Sequence, residues 1–367
     1  MFLMSSLSLL NSCGGLKRDD LLRETEESIK HLERDDIEIL RLASLAPSGH
    51  NTQPWTVKIV EPKRWIIGSE KRRWLPAVDP ENRELLLSIG AFIENLMIAA
   101  GTLGYETDIQ IIAKNAFDAE IADLRLKKGR SLDFPIDRIR KRRTVRSRYT
   151  DKEIRPEDLK YITGHDMKSC LVKNVPSPHS FYFPNNSPRG KYLQEGTIEA
   201  NRIQAFRDPA QEELANWIRW SNKEARQHRN GLTPESMEIK GFAGWVVRNL
   251  YNRSSVLKKD FREKTVDMVS KQVKTSGGWL IITSSDSNIP TLIEYGRVLE
   301  NLLLRTREKM IAVHPMTQIL EETPWKSQVP KELGVTGEIQ WVLRIGYLNS
   351  YPDPVSLRMP VSWFLRP

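Results

Sequence analysis

One stretch of the chain concentrates polar side chains suited to recognising a planar, hydrogen-bonding ligand. It follows an apolar segment with helical spacing and precedes the alternating run at residues 56–60, which predicts a β-strand. Between these elements lie the hydroxyl of Ser48 and the carboxamides of Asn51 and Gln53. Pro47 ends the helix, because the residue before a proline is disfavoured in the α conformation. The loop predicts a rigid recognition surface, although a plain turn uses the same residue types.

A second stretch carries positive charge at a density suited to phosphate. Eleven residues hold seven basic side chains, namely Arg138, Arg140, Lys141, Arg142, Arg143, Arg146 and Arg148. Guanidinium groups bind phosphate oxygens in a bidentate fork, so a few arginines on one short segment suffice for a phosphate site. Two other interpretations stay open, a solvated charge run and a nucleic-acid patch. A nucleic-acid patch usually interleaves aromatic residues, whereas only Tyr149 follows here.

The composition narrows the class of protein. The 367 residues are 39% hydrophobic and 28% charged, which predicts a globular chain long enough for two cores. No apolar run approaches the ~20 residues of a transmembrane helix. The net charge of +9 suits anionic ligands. Two cysteines and six scattered histidines predict neither a disulfide framework nor a metal site.

Residues 1–18 allow two interpretations. Small and apolar residues lead to Cys13, and a charged segment follows from Lys17. This pattern resembles the end of a bacterial lipoprotein signal peptide, in which Cys13 would be lipidated. The alternative is a disordered tail. The first interpretation predicts a membrane anchor in the cell envelope, and the second a cytoplasmic protein.

An internal repeat organises the chain. Residues 85–100 predict a helix that is apolar nearly all round and therefore buried. Within it, the Gly, Glu, Asn and Leu of the segment from Gly90 to Leu96 recur at the same spacing from Gly296 to Leu302. Strands are predicted at 64–68 and 279–282 before the two copies, at 109–112 and 341–345 after them, and at 119–126. Two copies of one α+β unit predict a fused dimer, divided near Pro135 into units 19–135 and 136–367.

Both polar stretches resemble the nitroreductase family. The segment from Ala46 to Trp55 matches Ala-Pro-Ser-x-x-Asn-x-Gln-Pro-Trp at seven of ten positions. The segment from Arg142 to Tyr149 resembles Arg-Arg-Ser-x-Arg-x-Phe/Tyr, with its aromatic residue one place later. Members of the family are flavoenzymes that carry FMN at the interface of two α+β subunits. The resemblance implies an α+β, nitroreductase-like FMN-binding fold made of two degenerate repeats in one chain, similar to the fused-repeat, Acg-like branch.

The resemblance also implies the flavin contacts. Ser48, Asn51 and Gln53 would contact the isoalloxazine or ribityl group. Pro315 and Met316 would pass backbone amides beside flavin N5, and Arg358 would reach the phosphate or the flavin. The phosphate and ribityl hydroxyls would be held by Arg142, Arg143, Thr144 and Arg146. No catalytic side chain is expected, because flavin N5 carries the chemistry, and His314 is expected to be structural.

One chain is expected to complete one flavin site. The first repeat carries the polar loop and lacks the arginine motif, whereas the second carries the arginine motif and lacks the loop. NADH or NADPH would be the donor, and a nitroaromatic, a quinone or a similar small molecule the acceptor. Residues 185–275 predict a helical insertion whose aromatic residues pack a core or form a lid.

Two alternatives to a reductase follow from the same features. A lid that closes the substrate side would make the chain an FMN-binding or sequestering protein with little reductase activity. Nucleic-acid binding through residues 138–148 would show affinity that falls steeply with salt. We expect no nucleic-acid partner, because a flavin phosphate accounts for the basic run.

Overall fold

The fold consists of two β-sheets and a central pair of helices. The computed structural model describes residues 15–23, 29, 32–147, 149–164, 179–239 and 241–367. Cys13, with the lipidation predicted for it, and Cys170 lie outside the described residues. The α+β class predicted from the sequence is confirmed.

The first half of the chain builds one sheet and one central helix. Its elements are α1 (Arg18–Arg23), α2 (Arg34–Ala43), β1 (Trp55–Glu61), β2 (Arg64–Ser69), α3 (Arg83–Thr102), β3 (Tyr105–Ile111) and β4 (Glu120–Lys128). The strands predicted at 56–60, 64–68, 109–112 and 119–126 are confirmed, as is the helix predicted at 85–100.

The second half repeats this plan with an insertion of helices between its first two strands. Its elements are α4 (Asp137–Lys141), α5 (Pro156–Thr163), β5 (His179–Pro184), α6 (Pro188–Phe206), α7 (Asp208–Trp217), α8 (Asn222–His228), α9 (Gly241–Leu250), α10 (Lys259–Lys274), β6 (Gly278–Ser284), α11 (Ile289–Thr306), β7 (Ile311–Pro315), α12 (Trp325–Leu333), β8 (Glu338–Tyr347) and β9 (Leu365–Arg366). Helices α6 to α10 form the insertion.

The two sheets have the same strand order. The first runs β3-β4-β2-β1 and the second runs β7-β8-β6-β5, with antiparallel neighbours in both. This order makes β7 the counterpart of β3, and β8 the counterpart of β4. The prediction that residues 341–345 correspond to 109–112 is wrong, because 341–345 lie in β8. No strand is predicted at the counterpart, β7, because it is short and ends in His314-Pro315.

Helices α3 and α11 cross at the two glycines that revealed the repeat. A Cβ atom on Gly90 would overlap the Ile293 carbonyl oxygen and lie 2.9 Å from the Cα of Gly296. A Cβ atom on Gly296 would likewise overlap the carbonyl oxygen of Leu87. Glycine is therefore required at both positions by the close approach of two backbones. Of the described helices, α3 alone is long and apolar enough to cross a membrane, and here it lies buried in the core.

The end of the chain completes the first sheet. Strand β9 pairs in parallel with β1, so it occupies the edge of the sheet next to that strand. Phe92 of α3 stacks on Trp55 at 5.0 Å between ring centroids and meets Phe364 edge-on at 6.2 Å. The loop that precedes β1 is thus fixed by aromatic packing to both the central helix and the C-terminal segment.

Candidate functional site

A cavity of about 240 Å³ lies between residues contributed by both halves of the chain. Its first wall is the loop Pro47–His50, and its floor includes Leu87, Ser88 and Ala91 of α3. The opposite wall comes from the second half of the chain. It is formed by Thr144, Arg146, Leu299, His314, Pro315, Thr317 and Gln318. The repeat thus forms this site at the junction of its two copies.

The loop 47–53 is held in an unusual backbone shape. His50, Asn51 and Gln53 have φ angles of 47°, 55° and 52°, in the left-handed region that non-glycine residues seldom adopt. The hydroxyl oxygen of Ser48 accepts a hydrogen bond from the Gln53 amide at 2.9 Å, which closes the loop on itself. The Gly231 amide donates to the Asn51 carbonyl at 2.9 Å, which ties the loop to the insertion. These bonds offset the cost of the left-handed conformations.

Four of the predicted site residues line the cavity. They are Ser48, Thr144, Arg146 and Pro315. Arg146 is fixed by its Nη1, which donates to the Ser236 carbonyl at 3.0 Å, and its own amide donates to Glu238 at 3.1 Å. Burial lowers the pKa of the Arg146 guanidinium, yet an arginine stays protonated in proteins. A cation therefore faces the cavity.

Arg142, Arg143 and Arg358 are buried behind the cavity wall. Arg358 donates to the carbonyl oxygens of Leu45 and Ala46 at 2.9 and 3.0 Å, and Arg142 donates to that of Leu45 at 3.1 Å. These arginines thereby satisfy buried carbonyl groups of the segment that follows α2. Arg143 pairs with Glu238 at 3.1 Å and also donates to the Asp353 carbonyl oxygen.

Asn51 and Gln53 bond to other parts of the protein. The Asn51 amide donates to the Gly231 and Leu357 carbonyl oxygens at 3.0 and 3.1 Å, and its oxygen accepts from Arg358 at 2.9 Å. The Gln53 amide donates to the Arg229 carbonyl at 3.0 Å, and its oxygen accepts from the Met359 amide at 2.9 Å. Neither side chain is among those that line the cavity. In this conformation they connect the loop to the insertion and the C-terminal segment.

The segment predicted to present backbone amides to a flavin begins with Pro315, which lines the cavity but has no N–H. The Met316 amide donates to the Val342 carbonyl at 2.9 Å, and its side chain lines a neighbouring chamber. In this conformation the Met316 amide, which directly follows β7, therefore bonds to strand β8.

Two histidines, His50 and His314, line the cavity, and neither was predicted from the sequence to bind a ligand. Burial lowers the pKa of His50 to about 4. Burial also lowers the pKa of His314 well below its ordinary value, and Arg146 and Arg344 add to that effect. Both imidazoles are therefore neutral at neutral pH. The His314 Nδ1 atom is buried without a hydrogen-bond partner among the described residues.

A pair of carboxyl groups forms another part of the wall. Glu84 of α3 accepts from Thr317, and Glu321 accepts from the Gln204 amide of α6. Burial, with the neighbouring Glu84 as the next cause, raises the pKa of Glu321 well above its ordinary value. Burial therefore favours the protonated form of Glu321. The pair of Glu84 and Glu321 could not be predicted from the sequence, because the two residues lie far apart along the chain and belong to no shared motif.

The insertion encloses a larger chamber beside the cavity. The chamber measures about 650 Å³ and shares Arg146, His50, His314, Gln204 and Gln318 with the cavity. Its other walls are mainly apolar side chains of helices α7, α9 and α10. A shallower groove of about 1,400 Å³ lies elsewhere, between the insertion and the β9 edge, and none of the predicted site residues lines it. The cavity and the chamber form the better candidate site because they join the motif residues to an enclosed apolar space.

Comparisons with known proteins found similarity to nitroreductases. A candidate NAD(P)H nitroreductase of Mycobacterium tuberculosis, present in two strains, is 37% identical over 71 residues, which are 19% of this chain and 20% of the relative. The sequence match covers about a fifth of the relative's length. No protein-family model matches the chain.

Solved structures of low sequence identity also resemble the chain. A candidate nitroreductase from Anabaena variabilis is 11% identical, with 90% of this chain and 91% of that chain covered and a TM-score of 0.40. The FMN-dependent nitroreductase NfnB from Mycobacterium smegmatis, solved with NADPH, is 15% identical, with 62% of this chain and 95% of that chain covered and a TM-score of 0.37.

Proposed function

We propose that this chain is an FMN-dependent oxidoreductase of nitroreductase type, in the fused-repeat, Acg-like branch. Its two units would be residues 19–135 and 136–367, and one chain would bind one FMN. The observation that carries the proposal is the cavity between the two units, where Ser48 of one motif faces Thr144 and Arg146 of the other. NADH or NADPH would donate electrons, and a nitroaromatic, a quinone or a similar molecule would accept them.

The residues present fit FMN. Its phosphate is an anion and its ring carries hydrogen-bond acceptors, so the site needs a cation and buried donors. Arg146 supplies the cation, and Ser48 and Thr144 supply hydroxyl groups. Arg142 would add positive charge from behind the loop, where its Nη2 donates to the Leu45 carbonyl and its Nε lies 3.4 Å from Glu300. When bound, FMN would take up and release a pair of electrons at its N5 atom.

The protein would hold a proton at the carboxyl group of Glu321. Burial favours the neutral form of this group, and it lies on the cavity wall near Gln204. Reduction of a nitro group or a quinone consumes protons, so a neutral carboxylic acid beside the acceptor can donate one. His50 and His314 would stay neutral, and Arg146 would favour negative charge on the ligand.

The chamber enclosed by the insertion would receive the nicotinamide or the acceptor. It shares a wall with the cavity, and the two spaces together fall within the ~300–1,000 Å³ of small-molecule sites. A sequestering protein would instead need the insertion to fill this space. The volume of the chamber therefore favours turnover over storage.

The first test is the absorption spectrum of the purified protein, followed by anaerobic addition of NADH and then NADPH. We expect flavin absorbance that is lost when one of the nucleotides is added. Flavin absorbance that persists with both nucleotides would support the sequestering alternative. A colourless protein that does not take up added FMN would refute the proposal.

A second test separates binding from folding. Arg146→Ala should lower FMN affinity by ~10–100-fold, because it removes a charge-assisted contact to an anion. Arg72→Ala is the matched control, since its side chain is 89% exposed and lies outside the cavity. Equal FMN content in the two variants, with equal thermal unfolding, would refute the role of Arg146.

A further inference from the structure

Helix α9 of the insertion exposes apolar side chains to solvent. Phe242 is 78% exposed, Leu250 is 65% exposed and Trp245 is 36% exposed. Their spacing of three and eight residues places them on one side of the helix. The rings of Phe242 and Trp245 stack on each other at 5.8 Å. We name these three side chains the α9 surface.

The side of α9 that adjoins this surface faces inward. Val247 is buried in a small core with Ile218, Trp220 and Val256. Ala243, Val246 and Val247 line the chamber. Phe242 belongs to both sides, because it lines the chamber and is also exposed. The mouth of the chamber therefore opens beside the α9 surface.

The chain segment that contains and follows α9 is basic. Residues 241–264 contain six basic and two acidic side chains. Arg253, Lys258, Lys259 and Lys264 are exposed, as are Asp260 and Glu263, whereas Arg262 is buried and pairs with Asp208. Exposed aromatic residues flanked by lysine and arginine are typical of helices that lie at a membrane surface.

We infer that the α9 surface docks on an anionic lipid membrane and thereby places the mouth of the chamber at the lipid. Phe242, Trp245 and Leu250 would enter the boundary between headgroups and acyl chains. The exposed lysines and arginines that follow α9 would contact acidic headgroups. A poorly water-soluble molecule could then pass from the bilayer into the chamber.

Charge favours lipid over a second copy of the chain as the occupant. In a twofold interface the same patch lies on both subunits. The basic segments that follow the two α9 surfaces would then approach each other, and like charges repel. An acidic membrane instead complements the charge. The inference does not depend on bound FMN.

The test is sedimentation of the full chain with vesicles of phosphatidylcholine, with and without phosphatidylglycerol. The wild-type protein should bind the acidic vesicles, and the double variant Phe242→Ser/Leu250→Ser should bind at least about tenfold less tightly, because two apolar side chains no longer leave water. The matched control is Phe117→Ser/Leu132→Ser, which replaces side chains 56% and 46% exposed in the other half of the chain. It should bind like the wild type.

Fluorescence locates the contact. Lipids brominated on their acyl chains should quench a part of the tryptophan emission that the variant Trp245→Phe lacks. Three results would overturn the inference: no binding of the wild type to acidic vesicles, equal binding by the two double variants, or quenching that Trp245→Phe leaves unchanged. A concentration-dependent dimer that Phe242→Ser/Leu250→Ser abolishes, with no vesicle binding, would assign the surface to a second copy.

Discussion

The two sides of the central helix pair, α3 and α11, have the same backbone arrangement but differ in the side chains that occupy them. On the side of the cavity, α3 presents Leu87, Ser88 and Ala91. The repeat places Ile293, Glu294 and Arg297 of α11 at the matching positions. Arg297 is buried and bonds to Glu94 at 2.9 Å and to Glu294 at 2.7 Å. Small side chains leave space on one side, and buried ion pairs occupy the other.

The difference shows how a repeat can keep one site and lose its twin. The glutamates of the two copies, Glu94 and Glu300, have different surroundings. Glu94 has a close cation in Arg297, whereas the Arg142 Nε atom lies 3.4 Å from Glu300. Burial raises the pKa of Glu300 to about 7. Glu300, which has no ion pair as close as that of Glu94, is therefore the carboxyl group that is easily neutralised.

The largest effect is expected from Arg297→Ala. This change leaves Glu94 and Glu294 buried without the arginine that bridges them, which should lower the free energy of unfolding by about 3–5 kcal/mol. Urea unfolding measures the loss. The matched control is Arg202→Ala, which removes an exposed pair with Glu199 at the same spacing of three residues and should cost less than about 1 kcal/mol. Equal losses would mean that the ion pairs do not hold this side together.

A pH dependence should distinguish the Glu300 side. The pKa of Glu300 rises from its ordinary 4.5 to about 7 in the folded protein, so the unfolded chain ionises first as pH rises. The wild type should therefore lose up to about 3 kcal/mol of stability between these pH values, with no further loss above them. Glu300→Gln should lack that loss. Unfolding curves at several pH values test this, and parallel curves for the two proteins would contradict it.

The crossing shared by both sides should tolerate no added atom. Gly296→Ala should lower the free energy of unfolding by about 1–3 kcal/mol, because the new methyl group meets the backbone of α3. Gly101→Ala provides the control, since its Cβ would meet only the flexible Leu132 side chain at 3.1 Å. Thermal unfolding should rank the two variants clearly. If they unfold alike, the helices can separate without cost.

The smallest effect is expected from Asn301→Ala. Its Nδ2 atom donates to the Glu94 carboxylate at 3.1 Å, and Arg297 remains as a partner after the change. The loss should be about 1 kcal/mol, as for one hydrogen bond. Asn249→Ala, at an exposed helical position, should change stability little. A loss as large as that of Arg297→Ala would show that the amide and not the guanidinium holds Glu94.

Most of the fold could be predicted from patterns that are local in the sequence. The apolar run of α3 and the alternation in β1, β2 and β4 depend on neighbours along the chain, so periodicity reveals them. The repeat could also be found, because Gly90 and Gly296 must both be glycine where two backbones meet. Strand β7 was missed because five residues ending in proline give too short a pattern.

The site was harder to predict because its side chains come from distant segments. Ser48, Thr144 and Arg146 were found through motifs, and they line the cavity. Glu84 and Glu321 belong to no motif and meet only through the crossing of the two halves. The directions of Asn51 and Gln53 depend on carbonyl groups more than 170 residues away. No local pattern encodes such partners.

The pairing of β9 with β1 has a consequence for the order of events during synthesis. The partner of β1 is made roughly 300 residues after it, which takes roughly 15–60 s at ~5–20 residues per second. During that interval the outer edge of β1 is an unpaired strand, the kind of surface on which other chains can add. The carbonyl groups that hold Gln53, at Arg229 and Leu357, are also absent until late. The first half of the molecule therefore cannot complete its sheet and the Gln53 contacts until these later residues have been synthesised.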